Sequence, residues 1–295
     1  MALRDAVLSG IGGLEGVYAF SVKHLGTGEA ASVNGEEVLP TASVFKVLLV
    51  VELYRQVERG EVSLDERYVL RDADKVPGSG ILRELSEGLE LTLSDLTTLM
   101  MIVSDNTATD VILGLVGAER VNSAMRGLGL EKTVVSASCR DIIFEGVGGS
   151  DLPDEERTLA RYEELAAEAR RRGGFTANAQ NNVSTADEMT GLLGLIAEGR
   201  AAGRGSCDAI MGLMAKCQTG EARIAKYLPR DMVRVCHKEG TRLRLRNDIG
   251  IVTLLGSGER WALSCFTNDV GNVNAAEEAI AGVSRNVYDY FTAWT

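Results

Sequence analysis

The spacing of apolar residues changes period twice along this 295-residue chain, and that change limits the possible folds more than any other feature. Gly16 to Lys23 alternates in β-branched and aromatic residues, turns at Gly26-Thr27-Gly28 and returns over Glu29 to Asn34, the pattern of a β-hairpin. After Pro40 the period becomes helical. One helix is predicted from Ser43 to Gly60, and Leu91 to Val116 reads as a pair of helices interrupted at Ser104-Asp105-Asn106-Thr107, four polar residues that favour caps and turns over helix interiors. Ser150-Asp151-Leu152-Pro153 and the acids at 154–156 start a further helix. Its apolar stripe is Leu159, Tyr162, Leu165 and Ala169, three arginines at 170–172 end it, and Gly173-Gly174 caps it. Another start at Ser184-Thr185-Ala186-Asp187 leads into Met189–Ile196. The period of two then returns over Met232 to His237, Asp248 to Leu255 and Arg260 to Thr267, three strands predicted to join through turns at Gly240 to Asn247 and Gly256 to Glu259. Asn274 to Trp294 closes the chain as an amphipathic helix. A sheet assembled from both ends of the chain around a helical insert is an α/β (α+β) arrangement. It predicts one α/β domain from residues 1–40 with 228–295, an all-α domain over 41–227, and a site at their seam.

Composition narrows the function classes. Apolar residues make up 45% of the chain and charged residues 25%, ordinary values for a globular protein with a large core. The apolar block from Val44 to Leu53 is interrupted by Lys46 and Glu52, so no run reaches the length of a membrane span. A net charge of -11 argues against nucleic acid or an anionic membrane as a partner. Five cysteines without metal-ligand spacing and only two histidines, His24 and His237, point to buried free thiols, no metal and no cofactor. Met1 to Asp5 lacks the basic-then-apolar pattern of a secretory signal. As it stands the sequence predicts the cytoplasm, or the periplasm or outside if a signal was removed.

The chemistry centres on Ser43-Val44-Phe45-Lys46. A serine near a helix N-terminus has a lysine one turn on, on the same face, within reach of its hydroxyl. Backbone N–H groups there suit an oxyanion, and the pair reads as a nucleophile with its proton acceptor. The same residues also suit a capping hydroxyl on an ordinary helix; what stands downstream decides.

Downstream stand Ser104-Asp105-Asn106 and Lys238-Glu239-Gly240, with Gly78-Ser79-Gly80, Leu91 to Leu96 and Thr219 to Ile224 flanking them. In this order the three motifs resemble those of a class A β-lactamase, within the superfamily of penicillin-recognising serine enzymes. The resemblance implies a β-lactamase-like fold, a five-stranded antiparallel sheet flanked by helices plus an all-α domain. It also implies roles: Ser43 attacks an amide or ester carbonyl, and Lys46, neutral, takes its proton. That requires a shift of roughly 3 units, about 4 kcal/mol, from burial and from Lys238 as a second cation. Ser104 would pass a proton to the leaving nitrogen, and the N–H groups of Ser43 and Thr241 would form the oxyanion hole. Asn106, Glu239, Gly240, Thr241 and Arg242 would contact the substrate.

Two departures stand against this pattern. Glu239 replaces a hydroxyl residue that helps bind the substrate carboxylate in that family, and like charges at about 4 Å repel by roughly 1 kcal/mol even in water. Arg242 and Arg244 could compensate. The loop Glu-x-x-Leu-Asn that activates the deacylating water is absent, leaving Asp141 or Glu145 as candidate bases beside an apparent insertion at 150–182. Losing a general base costs about 10²- to 10⁴-fold. The expectation is a serine hydrolase opening a β-lactam or related amide through an acyl-serine. The alternatives are an esterase, amidase or transacylase on another small acyl substrate, or a penicillin-binding sensor with little turnover. Oligomeric state is left open.

Overall fold

The computed structural model describes residues 2–172 and 182–293. Helix α1 (Leu3–Leu8) precedes the hairpin of β1 (Val17–His24) and β2 (Ala30–Val33). A two-residue strand, β3 (Leu39–Pro40), and a 3-10 turn (Ala42–Phe45) lead into α2 (Lys46–Glu58). The short strands β4 (Arg67–Val69) and β5 (Glu90–Thr92) pair with each other, followed by α3 (Leu93–Ile102), α4 (Asn106–Val116), α5 (Ala118–Gly127), α6 (Cys139–Gly146) and α7 (Leu159–Arg171). Strand β6 (Val183–Ser184) pairs with β3, and α8 (Ala186–Glu198) and α9 (Arg204–Met214) complete the helical part. Strands β7 (Val233–Arg242), β8 (Leu245–Leu254) and β9 (Arg260–Asn268) then run into α10 (Val273–Thr292).

The five long strands form one antiparallel sheet in the order β2-β1-β9-β8-β7, as the alternation at both ends of the sequence predicts. Its two faces bury different side chains because successive residues of a strand point opposite ways. On one face Ala19, Ile249, Ile251, Ala262 and Phe266 join a core shared with α2, α3, α4, α8 and α9. On the other Phe20, Val22, Val252, Trp261 and Leu263 pack against α1 and α10. Helix α2 is apolar nearly all round, with Val47 to Val51 wholly buried, which makes it the axis of the helical part.

Two elements differ from the sequence-based expectation. The turn expected over Gly240 to Asn247 is mostly strand: Gly240 pairs with Asn247 and Arg242 with Leu245, leaving only Leu243 and Arg244 to turn. Gly240 serves close approach instead, since a Cβ there would lie 2.5 Å from the Thr41 carbonyl oxygen. The helix expected to start at Pro153 starts at Leu159. The acids at 154–156 form a separate 3-10 turn, and Thr158 Oγ1 caps the helix by accepting from the Arg161 N–H at 3.2 Å. Between them Arg157 leaves helical geometry to reach the Ser150 and Leu152 carbonyls at 2.7 and 2.9 Å. The expected cap at Gly173-Gly174 and the end of the last helix at Trp294 lie outside the described residues.

One buried side chain ties the sheet to the turn that carries Ser43. Asn247, on β8, donates to the Pro40 and Thr41 carbonyls at 2.8 and 3.2 Å and accepts from the Thr267 N–H at 2.8 Å. Its replacement leaves three buried backbone groups to rearrange. Asn247→Ala is expected to lower unfolding free energy by about 2–4 kcal/mol, read from urea denaturation; a loss below about 0.5 kcal/mol, the scale of an ordinary surface change, would show that these bonds do not hold the turn.

Candidate active site

Ser43 stands in the 3-10 turn before α2, and Lys46 is the first residue of the α-helix. The serine and lysine are one turn apart as the spacing predicts, and among the described residues no hydrogen bond joins the Ser43 hydroxyl to the Lys46 amine. Lys46, wholly buried, donates instead to Ser104 O at 2.7 Å, Ser104 Oγ at 3.2 Å and Asn106 Oδ1 at 3.0 Å. A buried ammonium seeks an acceptor for each of its three hydrogens, and the α3–α4 junction supplies all three. Burial pushes the Lys46 amine down to about 8, and the nearby Lys238 ammonium pushes the same way.

That junction is built by local geometry. Ser104 takes a left-handed backbone conformation (φ 56°), which aims both its carbonyl and its hydroxyl at Lys46. Asp105 caps α4 by accepting from the Ala108 N–H at 2.9 Å, and its other oxygen accepts from the Ile81 and Leu82 N–H groups at 2.7 and 2.9 Å. Gly80 (φ 104°) permits that approach, because a Cβ there would fall 2.3 Å from the Asp105 carboxyl carbon. Asn106 donates to the Pro77 carbonyl at 2.9 Å while accepting from Lys46, so one of its amide hydrogens remains for another partner.

Lys238 reaches the same hydroxyl from the sheet. Its amine donates to Ser104 Oγ at 3.0 Å, to the Glu239 carbonyl at 3.0 Å and to Glu239 Oε1 at 3.1 Å. Ser104 Oγ thus accepts from two buried amines and keeps its own proton for a third group. Glu239 is 5% exposed and accepts from Thr219 Oγ1 at 3.1 Å and Thr241 Oγ1 at 3.0 Å. Burial opposes its charge, yet Lys238 and Arg223 hold its carboxyl well below the usual range. Arg223 lies 3.5 Å from Glu239 and 3.0 Å from Glu277, and donates to Thr241 Oγ1 at 2.6 Å. The counter-charge of Glu239 is therefore Lys238 with Arg223, not Arg242 and Arg244. Arg244 pairs with Asp269 at 3.0 Å on the hairpin turn, and Arg242 lies near Glu145. Arg223 stands in the Thr219 to Ile224 flank of the third motif, but nothing local to it signals a partner; the fold brings it to Glu239.

Beside Ser43 opens a cavity of about 280 Å³. Ser43, Asn106, Thr241 and Arg242 line it, together with Ile142 and Ile143 of α6 and Tyr162 of α7. Helix α7 reaches there by packing Leu165 and Ala166 on Phe144, whose ring meets Tyr162 edge-on at 6.1 Å. Neither candidate base lines this cavity. Asp141 caps α6 through the Ser138 N–H and hydroxyl at 3.0 and 2.7 Å, pairs with Arg157 at 2.7 Å, and faces a neighbouring cavity. Glu145 lies further along α6, beside Arg242. Among the described residues no group of three or more His, Cys, Asp or Glu could hold a metal ion, and no helix is long and apolar enough to cross a membrane.

The sequence matches the model of the β-lactamase enzyme family over residues 3–291. A β-lactamase regulatory protein of Streptomyces cacaoi is 27% identical over 315 aligned positions, covering 99% of this chain and 97% of that protein. The β-lactamase L2 of Stenotrophomonas maltophilia is 23% identical, with 86% of this chain and 74% of that protein covered. Among solved structures, a β-lactamase from Sphaerobacter thermophilus superposes with a TM-score of 0.81 at 30% identity, over 99% of this chain and 97% of that one.

The depressed Lys46 amine has a measurable consequence for folding. A lysine pushed down on folding binds its proton less readily in the folded chain than in the unfolded one, so stability rises with pH between about 8 and 10.5. The stability difference between wild type and Lys46→Met is expected to move by about 3 kcal/mol in favour of wild type across that window. Urea unfolding at several pH values checks it, and a flat difference would place the amine at its ordinary value.

Proposed function

The chain belongs to the β-lactamase enzyme family and is a serine hydrolase of the β-lactamase type, and from that premise we propose that Ser43 opens a β-lactam or related amide through an acyl-serine that is released slowly. The observation that carries this reading is the bridge of Ser104 Oγ between the amines of Lys46 and Lys238. In its neutral form Lys46 gives up one N–H bond and gains a lone pair, which takes the Ser43 proton as Oγ attacks the carbonyl. The N–H groups of Ser43 and Thr241 receive the oxyanion. As the C–N bond breaks, Ser104 gives its own proton to the leaving nitrogen and regains one from Lys46, so the net result is one proton moved from Ser43 to the product amine, with Lys46 and Ser104 returned to their starting states. Lys238 keeps the Ser104 hydroxyl oriented throughout.

Slow release follows from the cavity wall. A deacylating water needs a base within hydrogen-bond reach, and the described residues that line the cavity beside Ser43 include no Asp, Glu or His. This observation favours a second reading, an acylated sensor, which agrees with the description of the Streptomyces cacaoi relative as regulatory. Intact mass after incubation with benzylpenicillin and a chromogenic cephalosporin separates the readings, with Ser43→Ala as control. A lasting adduct on Ser43 is the expected result. Rapid turnover without an adduct would sink the slow-release reading, and neither product nor adduct would move the substrate outside the β-lactams.

Glu239 bears on which acyl substrate fits. Its carboxylate already pairs with Lys238 and with Arg223, the latter also bonded to Thr241 Oγ1, so neither cation offers an uncommitted charge to a substrate carboxylate there. Glu239→Thr is expected to speed Ser43 acylation by benzylpenicillin at least about tenfold, equivalent to about 1.4 kcal/mol. An unchanged rate would mean that Glu239 does not select against anionic substrates.

A further inference from the structure

Helix α7 lies between the second and third motifs, in a stretch whose role neither motif explains. Tyr162, Leu165, Ala166 and Ala169 stand at helical spacing on one face of it. Leu165 and Ala166 are buried with Phe144 and Val147 in a small core, separate from the two that cover the faces of the sheet. A Cβ on Gly149 would fall 3.0 Å from both Leu165 and Phe144, so its absence lets the chain pass close to them. Arg157, just before α7, is tied to Asp141 in the first turn of α6 at 2.7 Å. Helix α7 is thus fastened to α6, and among its described residues Tyr162 alone lines the cavity beside Ser43.

We propose that Tyr162 is a specificity-determining residue, whose ring bounds a slot for the acyl side chain carried on Ser43, and that this acyl group is uncharged and apolar; the proposal rests on the reading of Ser43 as an acylated nucleophile. Phe45, Ile142, Ile143, Val147 and Leu243 line the same cavity as Tyr162 and Ser43. Arg242 is the one charged side chain among the described lining residues, and Glu145 lies near it. A chain tethered to Ser43 Oγ is already held in this cavity, so each methylene it buries there favours acylation by a factor of about 4. A charged group on that chain would be desolvated among apolar side chains instead.

The gain ends where the chain meets a ring that cannot yield. Tyr162 is backed edge-on by the wholly buried Phe144 at 6.1 Å, so a longer acyl group must displace packed side chains. A tyrosine that only anchored α7 on Phe144 would alter stability and the rate for every substrate alike. One that bounds the slot alters the ratio between long and short acyl groups.

The probes are p-nitrophenyl esters of straight-chain acids from acetate to decanoate, which carry no carboxylate for Glu239 to repel. Ser43 Oγ forms the new ester bond, the bond from the carbonyl carbon to the phenol oxygen breaks with its electrons on that oxygen, and the Ser43 proton passes to Lys46 and on to solvent. The acylation rate is read from the burst of p-nitrophenolate, with Ser43→Ala as blank. In the wild type it is expected to rise at least about tenfold from acetate to hexanoate. Tyr162→Ala is expected to raise the ratio of the decanoate to the butyrate rate at least about tenfold, with circular dichroism confirming the fold. Where Tyr162→Ala does not fold, Tyr162→Leu keeps apolar bulk on Phe144 and carries the same comparison. A Ser43-dependent burst of equal rate from acetate to hexanoate, or a folded variant with the wild-type ratio, would overturn the proposal. A benzylpenicillin adduct on Ser43 with no burst from any ester would also overturn it, and would leave Ser43 standing as the acylated nucleophile. Neither adduct nor burst would sink both.

Discussion

Two lysines buried within reach of one hydroxyl impose the constraint that the surrounding structure answers. Lys46 and Lys238 both place their amines about 3 Å from Ser104 Oγ, in surroundings where like charges are weakly screened. Leaving both charged without compensation would be strongly unfavourable. The molecule responds in two ways. Lys46 is pushed toward its neutral form, and Lys238 is given a carboxylate, Glu239. Glu239 then requires a setting of its own, supplied by Thr219, Thr241 and Arg223, and Arg223 is in turn balanced by Glu277. The network therefore extends from the centre of the helical part to α10 on the far face of the sheet.

This ordering explains why Glu239, which departs from the pattern of the motif it interrupts, does not disturb the site. A carboxylate on an open groove would repel an anion; one that is buried and paired acts as a fixed internal counter-ion. The cations next to it are thereby occupied before any substrate arrives.

Much of the architecture was legible because it rests on periodicity. The alternation of β1 and of β7 to β9, the helical stripe of α2 and the polar break at Ser104 each follow from which side chains must be buried. Helices α1, α5, α6 and α9 were not foreseen; they are short, and their apolar residues sit among polar ones without a long stripe. The Ser43, Lys46, Ser104 and Lys238 cluster could be anticipated from three motifs in order. Asn247, Arg223 and Glu277 could not, because each acts on residues far away in sequence that only the strand order brings near. Asp141 and Glu145 looked like free acids in the text of the chain, and the structure engages one as a helix cap and sets the other beside an arginine.

The strand order β2-β1-β9-β8-β7 also sets a timetable. A chain emerging from the ribosome presents Ser43, Lys46 and Ser104 early, on segments that can begin to collapse around α2. The open edge of β1 waits for β9, and the turn that holds Ser43 waits for Asn247 on β8. Lys238 arrives on β7, after every helix but the last. A nascent chain thus carries Ser43 through most of synthesis without the groups that hold and compensate the site. The sheet acts as a final assembly step, and the candidate site and the finished fold come into being together.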